Sequence, residues 1–517
     1  MYKEIIKYNQ LKLLNLFNQD KFSSKIGFGD RKYWAWKTID FPNATFQSGV
    51  NALAISIKLN IAIDKDLYLE IIDSAIRIIP SLTNSNNSLN EAFPNESSYC
   101  VTALVVYDSL YCIDLLKDEM GKNKVREYFS IIEPLVNYLI KNKEQHAIIS
   151  NHLATSAAAL FLWEELTGKF KNSYKNVLEI IYNNQSQEGW YKEYEGPDHG
   201  YQTLCVNFLS TIYIKTKDEY LKLSLQKSFK YLYNFIHPDG TIGGLYGSRN
   251  TEIVYPGGVS VLRDISDYAY FCFESFGEGF KNGFSLLPQD IDSDNYIPLL
   301  NSFALAALNE DKIFKKREKL KPFFYLNQRK DFQISGIEVF SNKNYFSILN
   351  YKKVGTLVVY DLIKKKCIYE SGGIFYLKSR KKYTSQKFDQ SICKNEDGSF
   401  VTFFYHYKEN YPSLIQTIMI RLMAITIFNL PGVVEIFKKI LVKLLITNKR
   451  RTKIKIKTQL LYNQKTIELR YSFSENLKKE SLYFGKRFKA IHMASSGYFL
   501  KKSVPIKQKS IVKERVL

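Results

Sequence analysis

Gln185–Asp198 reads QSQEGWYKEYEGPD, and the segments on either side of it decide the fold. Before it, Ser173–Asn184 repeats apolar residues at helical spacing, and after it Tyr201–Lys215 does the same. The connection itself is polar and aromatic, with an acid–glycine turn at Glu188-Gly189. Ser88–Glu96 (SLNEAFPNE) and His237–Asn250 (HPDGTIGGLYGSRN) are long connections of the same kind. The turns Glu188-Gly189 and Asp239-Gly240 lie about fifty residues apart, the length of two helices with their loops, which reads as a helix-pair repeat.

Further helical runs extend the pattern on the N-terminal side and beyond: Ala44–Asn60, Leu67–Ile79, Ser98–Leu116, Val125–Lys141, His152–Thr167 and Tyr220–Ile236. Stacked helix pairs either continue as a solenoid or close into a ring. Closure gathers the long loops at one end, around a central cleft that suits a polar ligand. After about residue 320 the period changes. Ile337–Leu349, Val354–Val359, Gly373–Leu377, Phe400–Tyr407, Lys453–Leu461, Thr466–Phe473 and Tyr483–Phe488 are short, β-branched or alternating runs bounded by turn residues. The expected fold class is α+β and multidomain. An N-terminal (α/α) toroid over 1–320 carries the cleft, and an antiparallel β-sandwich follows over 321–517, with a helical insertion at about 411–448. Lys312–Pro322 (KIFKKREKLKP) has the charge and terminal proline of a linker.

The 517 residues carry a net charge of +22, which attracts polyanions. No helix-turn-helix, zinc knuckle or RNA-binding aromatic motif accompanies the charge, so no nucleic acid partner is expected. An acidic polysaccharide or oligosaccharide remains. The basic runs Lys449–Lys457 and Lys501–Lys513 read as solvated surface and tail. Six widely spaced cysteines form no CxxC pair, no cluster has metal-ligand spacing, and no cofactor is called for. The N-terminus lacks a signal-peptide pattern, so a cytoplasmic location is expected. Arg421, Pro431 and Glu435 interrupt the apolar stretch Ser413–Ile446, short of the ~20 residues a spanning helix needs. An amphipathic helix pair is expected there, with 411–451 as a candidate peripheral membrane contact.

Three constellations can carry chemistry. Asn151-His152 puts an amide and an imidazole at a helix start, where the plain reading of the Asn is a cap. Tyr191–Gln202 is dense in polar and aromatic groups, with Tyr194, Glu195, Asp198, His199, Tyr201 and Gln202 following Trp190. His237–Asn250 is glycine-rich and ends in Tyr246 and Arg249, with Tyr255-Pro256-Gly257-Gly258 beyond it. Arg249 can pair bidentately with a carboxylate or sulfate, or bridge the ring to the second domain. Trp34, in Asp30–Trp36 (DRKYWAW), is either sugar-stacking surface or core.

At these positions the sequence resembles the heparinase II/III-like polysaccharide lyases. The resemblance implies an α/α toroid followed by a β-sandwich, and β-elimination on a uronate-containing acidic polysaccharide. Asn151-His152 looks like the family's Asn-His, which implies carboxylate binding by Asn151. Tyr201 looks like its catalytic tyrosine, with Gln202 standing where the family has His, and His199 two residues before. The expected catalytic set is therefore Tyr201, His152, His199 and Asn151. Arg249, Trp190, Tyr194, Glu195, Asp198, Gln202, Tyr246 and Trp34 are expected to bind substrate. Tyr201 can act as base or acid, with His152 or His199 as partner. Two other readings remain: a glycoside hydrolase on the same toroid, using carboxylates among Asp30, Glu193, Glu195, Asp198 and Asp239, and a non-catalytic glycan-binding protein of surface-polysaccharide assembly.

Overall fold

The computed structural model describes residues 1–144, 147–315, 317–353, 356–378, 380–407, 411–430, 432–443, 450–462, 467–475, 477, 482–486, 500–503 and 511–515. Its helices are α1 (Tyr2–Leu14), α2 (Arg31–Trp34), α3 (Val50–Lys58), α4 (Lys65–Arg77), α5 (Ile79–Leu82), α6 (Tyr99–Met120), α7 (Lys122–Lys141) and α8 (Ser150–Thr167). They continue as α9 (Ser173–Asn183), α10 (His199–Thr216), α11 (Glu219–Tyr233), α12 (Pro256–Val261), α13 (Asp267–Lys281), α14 (Ser293–Leu308), α15 (Leu414–Thr426) and α16 (Val433–Val442).

The helical half divides by composition. α4 buries Tyr68, Ile71, Ile72, Ala75 and Ile76, and α9 buries Tyr174, Val177, Leu178 and Ile181: one apolar stripe each, at helical spacing. α8 buries every residue from Leu153 to Trp163, and α6 and α10 are similarly enclosed. A helix apolar all round must be covered on all sides, so these form an inner ring. α3 packs on α6, α6 on α8, α8 on α10, α10 on α12, α12 on α14, and α14 back on α3. α4, α7, α9, α11 and α13 back them from outside, and α1 backs α14. The ring is therefore closed. The Ala157-Ala158-Ala159 run lies at the crowded centre, so a leucine at Ala158 would overpack it by about 1–3 kcal/mol.

Polar ties pin the inner helices together. Tyr99 Oη meets Ser156 Oγ at 2.7 Å between α6 and α8, and Tyr107 Oη meets Thr211 Oγ1 at 2.8 Å between α6 and α10. Asn207 Oδ1 on α10 accepts from the Gly258 N–H of α12 and from Ser302 Oγ of α14. Pro256-Gly257-Gly258, which follow the glycine-rich segment, form the first turn of α12. A Cβ on Gly258 would overlap the Asn207 backbone, so the glycine serves helix packing. At the seam, Asn301 Nδ2 donates to Ser48 O, and the Met1 ammonium pairs with Glu310.

The strands follow. β1 (Lys192–Glu193) and β2 (Gly196–Pro197) form a small hairpin inside the loop before α10. β3 (Arg329–Phe332), β4 (Ile337–Ser341), β5 (Tyr345–Asn350), β6 (Thr356–Asp361) and β7 (Lys366–Gly372) make an antiparallel meander in chain order. β8 (Ile374–Lys378), β9 (Lys381–Thr384), β10 (Phe400–Tyr407), β11 (Arg451–Tyr462), β12 (Ile467–Phe473), β13 (Leu482–Lys486), β14 (Leu500–Ser503) and β15 (Ile511–Arg515) form a second antiparallel sheet, ordered β14-β13-β8-β9-β10-β11-β12-β15. α15 and α16 are the expected helical insertion, between β10 and β11.

The meander is covered on both faces. Phe346, Ile348, Val358 and Tyr360 join the core of the ring, while Tyr345, Leu349, Leu357 and Val359 share a core with Ile374, Phe404, Ile456 and Leu469 of the second sheet. Alternate residues thus enter different cores, and β5 is buried at every position. That continuity explains why Ile337–Leu349, expected as one strand, is the hairpin of β4 and β5, turning at Asn342-Lys343-Asn344. Val354, Thr466 and Arg487-Phe488, within other expected strands, lie outside the described residues, as do Lys449 and most of the basic tail.

Candidate functional site

Asp198 organises the mouth of the ring. It caps α10 by accepting the Tyr201 N–H on Oδ1 at 3.1 Å. Its other oxygen accepts the backbone N–H of Arg249 at 2.8 Å and of Thr251 at 3.3 Å. One buried carboxylate therefore fixes both the helix that carries Tyr201 and the loop that carries Arg249.

Tyr194 completes that face. It occupies the first corner of the β1–β2 hairpin at a φ of 60°, where a non-glycine residue is strained by about 1 kcal/mol or more. The strained backbone sets its ring 4.3 Å from the Arg249 guanidinium, a cation–π contact. The hairpin is held to the segment before α8 by the Tyr194 N–H on Ile148 O.

The start of α8 is built differently. Its N-cap position is Ile149, which has no side-chain acceptor, so Asn151 lies inside the helix and is not the cap that its type suggests. Glu193, from the β1–β2 hairpin, takes the cap's part. Its Oε1 accepts the Asn151 N–H at 3.0 Å and its Oε2 accepts Asn151 Nδ2 at 2.9 Å. A carboxylate at a helix N-terminus is favoured by the helix dipole. Burial nevertheless dominates and pushes Glu193 up to about 7, against the lowering by Asn151 and His152.

His152, one residue on, turns Nδ1 to Glu144 at 2.8 Å; the imidazole is 23% exposed and the carboxylate 3%. Burial opposes charge on the ring, but Cys100 and the Glu144 carboxylate outweigh it and hold the imidazole well above its ordinary pKa. The contact with Glu144 therefore favours the protonated imidazole. Tyr201 is half-buried on α10. Burial and Tyr255 raise its phenol well above the ordinary value, while Arg249 pulls the other way. Asn151, Glu193, Tyr194, Tyr201 and Arg249 are therefore one electrostatic neighbourhood at one end of the ring.

Several expected site residues lie elsewhere. His199 is fully buried among Tyr231, Phe235 and Tyr246, and neither ring nitrogen has a hydrogen-bond partner. Burial, then His237, pushes it down to about 3. It packs the base of α10 and is unsuited to proton transfer. Gln202 is buried and donates Nε2 to Ser228, tying α10 to α11. Trp190 is buried with Nε1 on Glu188, and Tyr246 is buried with its hydroxyl on His237 Nε2. These three are framework, not substrate surface. Trp34 donates Nε1 to Leu16 O and packs against the core of the ring, the second of its two readings. Glu195 stays at the hairpin tip, where its carbonyl accepts from Gln390 Nε2 of the second sheet's loop.

Among the described residues, the ring is hydrogen-bonded to the sheets here by Lys353 and Asn350 and not by Arg249. Lys353, on the turn between β5 and β6, donates to Gly247 O at 2.6 Å and contacts Asn250 Oδ1, while Asn350 Nδ2 donates to Tyr246 O. Fully enclosed, Lys353 is lowered by burial to about 7, with Asp198 opposing that shift. No feature of the Lys352-Lys353 pair in sequence separates it from the many surface lysines. Glu144 is likewise silent in sequence, whereas Glu193 was visible only as one of several acids in its loop. Among the described residues, no group of three or more His, Cys, Asp or Glu side chains is arranged to hold a metal ion.

Solved structures with this architecture include a xanthan lyase from Paenibacillus, with a TM-score of 0.52 and 9% identity over 92% of this chain and 46% of that one. Chondroitin AC lyase from Streptomyces coelicolor, in complex with chondroitin sulphate, gives a TM-score of 0.53 and 8% identity over 93% of this chain and 67% of that one. Heparinase III gives 0.48 and 14% identity, over 92% and 71%. At these identities the shared property is the fold: the chain is an α/α toroid with antiparallel sheets, like these polysaccharide lyases. It spans about half the length of the xanthan lyase. No family model matches the sequence, and no curated protein does.

Proposed function

We propose that the protein is a polysaccharide lyase that cleaves a uronate-containing acidic polysaccharide by β-elimination. The observation that carries this reading is the clamp at Asp198, which places Tyr201 and Arg249 together beside the Asn151–Glu193 pair.

Elimination needs the C5 proton of a uronate removed and the glycosidic oxygen at C4 protonated as it departs. The adjacent carboxylate must be neutralised so that the enolate-like transition state is stabilised. Arg249, itself buried against Tyr194, supplies positive charge, and the second hydrogen of the buried Asn151 amide is the one that Glu193 does not take. A phenolate at Tyr201 takes the C5 proton and returns it to the leaving oxygen, so the cycle balances without a second acid. The resting phenol is protonated at neutral pH, because burial and Tyr255 raise it. The ionised fraction then grows tenfold per pH unit, so kcat/KM should climb through the alkaline range for as long as the fold persists.

The test is the ultraviolet absorbance of a 4,5-unsaturated uronate during incubation with a panel of acidic polysaccharides. A rise that vanishes in Tyr201→Phe and Asn151→Ala is expected. No rise on any substrate, with reducing ends also unchanged, would leave a glycan-binding role. New reducing ends without absorbance would favour hydrolysis. One observation supports that second reading: Glu193, held near neutrality by burial, has the profile of a proton-donating carboxylic acid.

A further inference from the structure

The α15–α16 insertion leaves the second sheet and docks on the ring. Lys438 pairs with Glu96 at 3.2 Å and Arg421 with Asp40 at 2.9 Å. Asn95 Nδ2 donates to Ala424 O, and the Phe93 ring packs between Phe428 and Phe437. Glu96 and Asn95 belong to the long connection that leads into α6, so the insertion is seated on the loops of the ring.

Its other side is left uncovered by the described residues. On α15, Leu414, Ile415, Ile418, Leu422 and Ile425 fall within one side of the helix, and Leu414, Ile415 and Ile425 are 70–77% exposed. Ile436 and Ile440 continue the apolar surface on α16, and exposed Lys439 and Lys443 share that side of the helix. α15 carries no acidic residue, and exposed Arg450 and Arg451 follow the insertion. Tyr411 just before α15 is 83% exposed, and Trp36, 69% exposed, stands on the loop that Arg421 grips at Asp40.

An aliphatic face that carries two exposed lysines on α16 matches the boundary between lipid headgroups and acyl chains. α15 is about 20 Å long at ~1.5 Å per residue, well short of the ~30 Å hydrocarbon core, so it would lie in the surface and not cross it. A second copy of the chain would bring its own lysines against these and repel them, whereas an anionic bilayer complements them. We propose that the outward face of α15 and α16 seats this protein on an anionic lipid surface, independently of the reaction it performs.

The experiment is co-sedimentation with vesicles of phosphatidylglycerol mixed with phosphatidylcholine, and with phosphatidylcholine alone. The parent protein should partition onto the mixed vesicles at least about tenfold more strongly than onto phosphatidylcholine. Ile418→Asp with Leu422→Asp should abolish binding at unchanged melting temperature. Should that variant fold poorly, Lys439→Glu with Lys443→Glu tests the same face, with an expected loss of about tenfold or more on the mixed vesicles. Undiminished binding by a folded variant, or equal binding to both vesicle types, would overturn the proposal. A parent dimer by light scattering that becomes monomeric in Ile418→Asp with Leu422→Asp would overturn it too, by assigning the face to a second copy.

Discussion

α8 and α10 open side by side at the mouth of the ring, each with a histidine in its first turn, and the two histidines end in opposite electrostatic states. His152 meets a buried carboxylate, which favours its charged form. His199 meets three aromatic rings and is held neutral. The helices also hold their working residues differently: a capping Asp198 sets the backbone of Tyr201, whereas a carboxylate from another segment grips Asn151 by its side chain. The character of a helix start here is decided by what distant loops bring to it.

The contrast can be broken by measurement. Tyr201→Phe should lower turnover by about a thousandfold or more, because the hydroxyl is removed while the backbone clamp at Asp198 remains. Asn151→Ala should cost about a hundredfold in turnover. It should also cost about 2 kcal/mol in denaturant-measured stability, since Glu193 loses its side-chain donor inside the protein. If Asn151→Ala were as stable as the parent, the difference between the two helix starts would vanish.

The histidines themselves sharpen the comparison. His152→Phe should destabilise by about 1–2 kcal/mol, because the Glu144 carboxylate loses its contact with the imidazole; the partial exposure of the ring keeps the loss below that of a fully buried pair. The pH response should carry opposite signs. His199 titrates near 6.5 when unfolded and near 3 when folded, so the unfolded state binds the extra proton between those values. Stability then falls on acidification across that window, at up to about 1.4 kcal/mol per pH unit. His152, raised on folding, contributes stability that is complete below the ordinary histidine pKa and is lost as pH rises through its folded value. The smallest effect is expected for His199→Phe, within about 1 kcal/mol, because no hydrogen bond of the imidazole is lost. That variant should lack the acid-side slope, which calorimetry from pH 7 down to pH 4 would reveal.

Periodicity carried the architecture. The apolar spacing of Ser173–Asn184 and Tyr201–Lys215 and the length of the loop between them were enough to read a repeat of helix pairs, solenoid or ring, and the insertion at α15 and α16 was visible as apolar runs inside a β-rich region. α12 was hidden because Pro256-Gly257-Gly258 carries turn residues that close packing against Asn207 demands. β3 and β9 were hidden by their charged residues and short length, β7 by its mixed polar composition, and β4 with β5 by burial on both faces. At the site, Asn151, Tyr201 and Arg249 were legible as polar groups in or beside the long loops, whereas Asp198, expected to bind substrate, is instead the buried cap of α10. Lys353 was not legible, since its partners Gly247 and Asn250 lie far along the chain; nor was Glu144, since nothing in its own segment marks it as the partner of His152. His199, Gln202, Trp190 and Tyr246 were misread because polarity in a loop does not reveal which way a side chain turns; these four point into the protein.

The seam of the ring has a consequence for how the molecule is made. α14 packs on α3, and α1 packs on α14, so the first and last helical elements of the ring complete one another. During synthesis the apolar surfaces of α1 and α3 must wait until Ser293–Leu308 has left the ribosome. The early helices are then an open arc with a sticky edge, and non-local closure of this kind is intrinsically slow. Co-translational chaperone occupancy should therefore persist until α14 emerges, and the release of that occupancy marks ring closure.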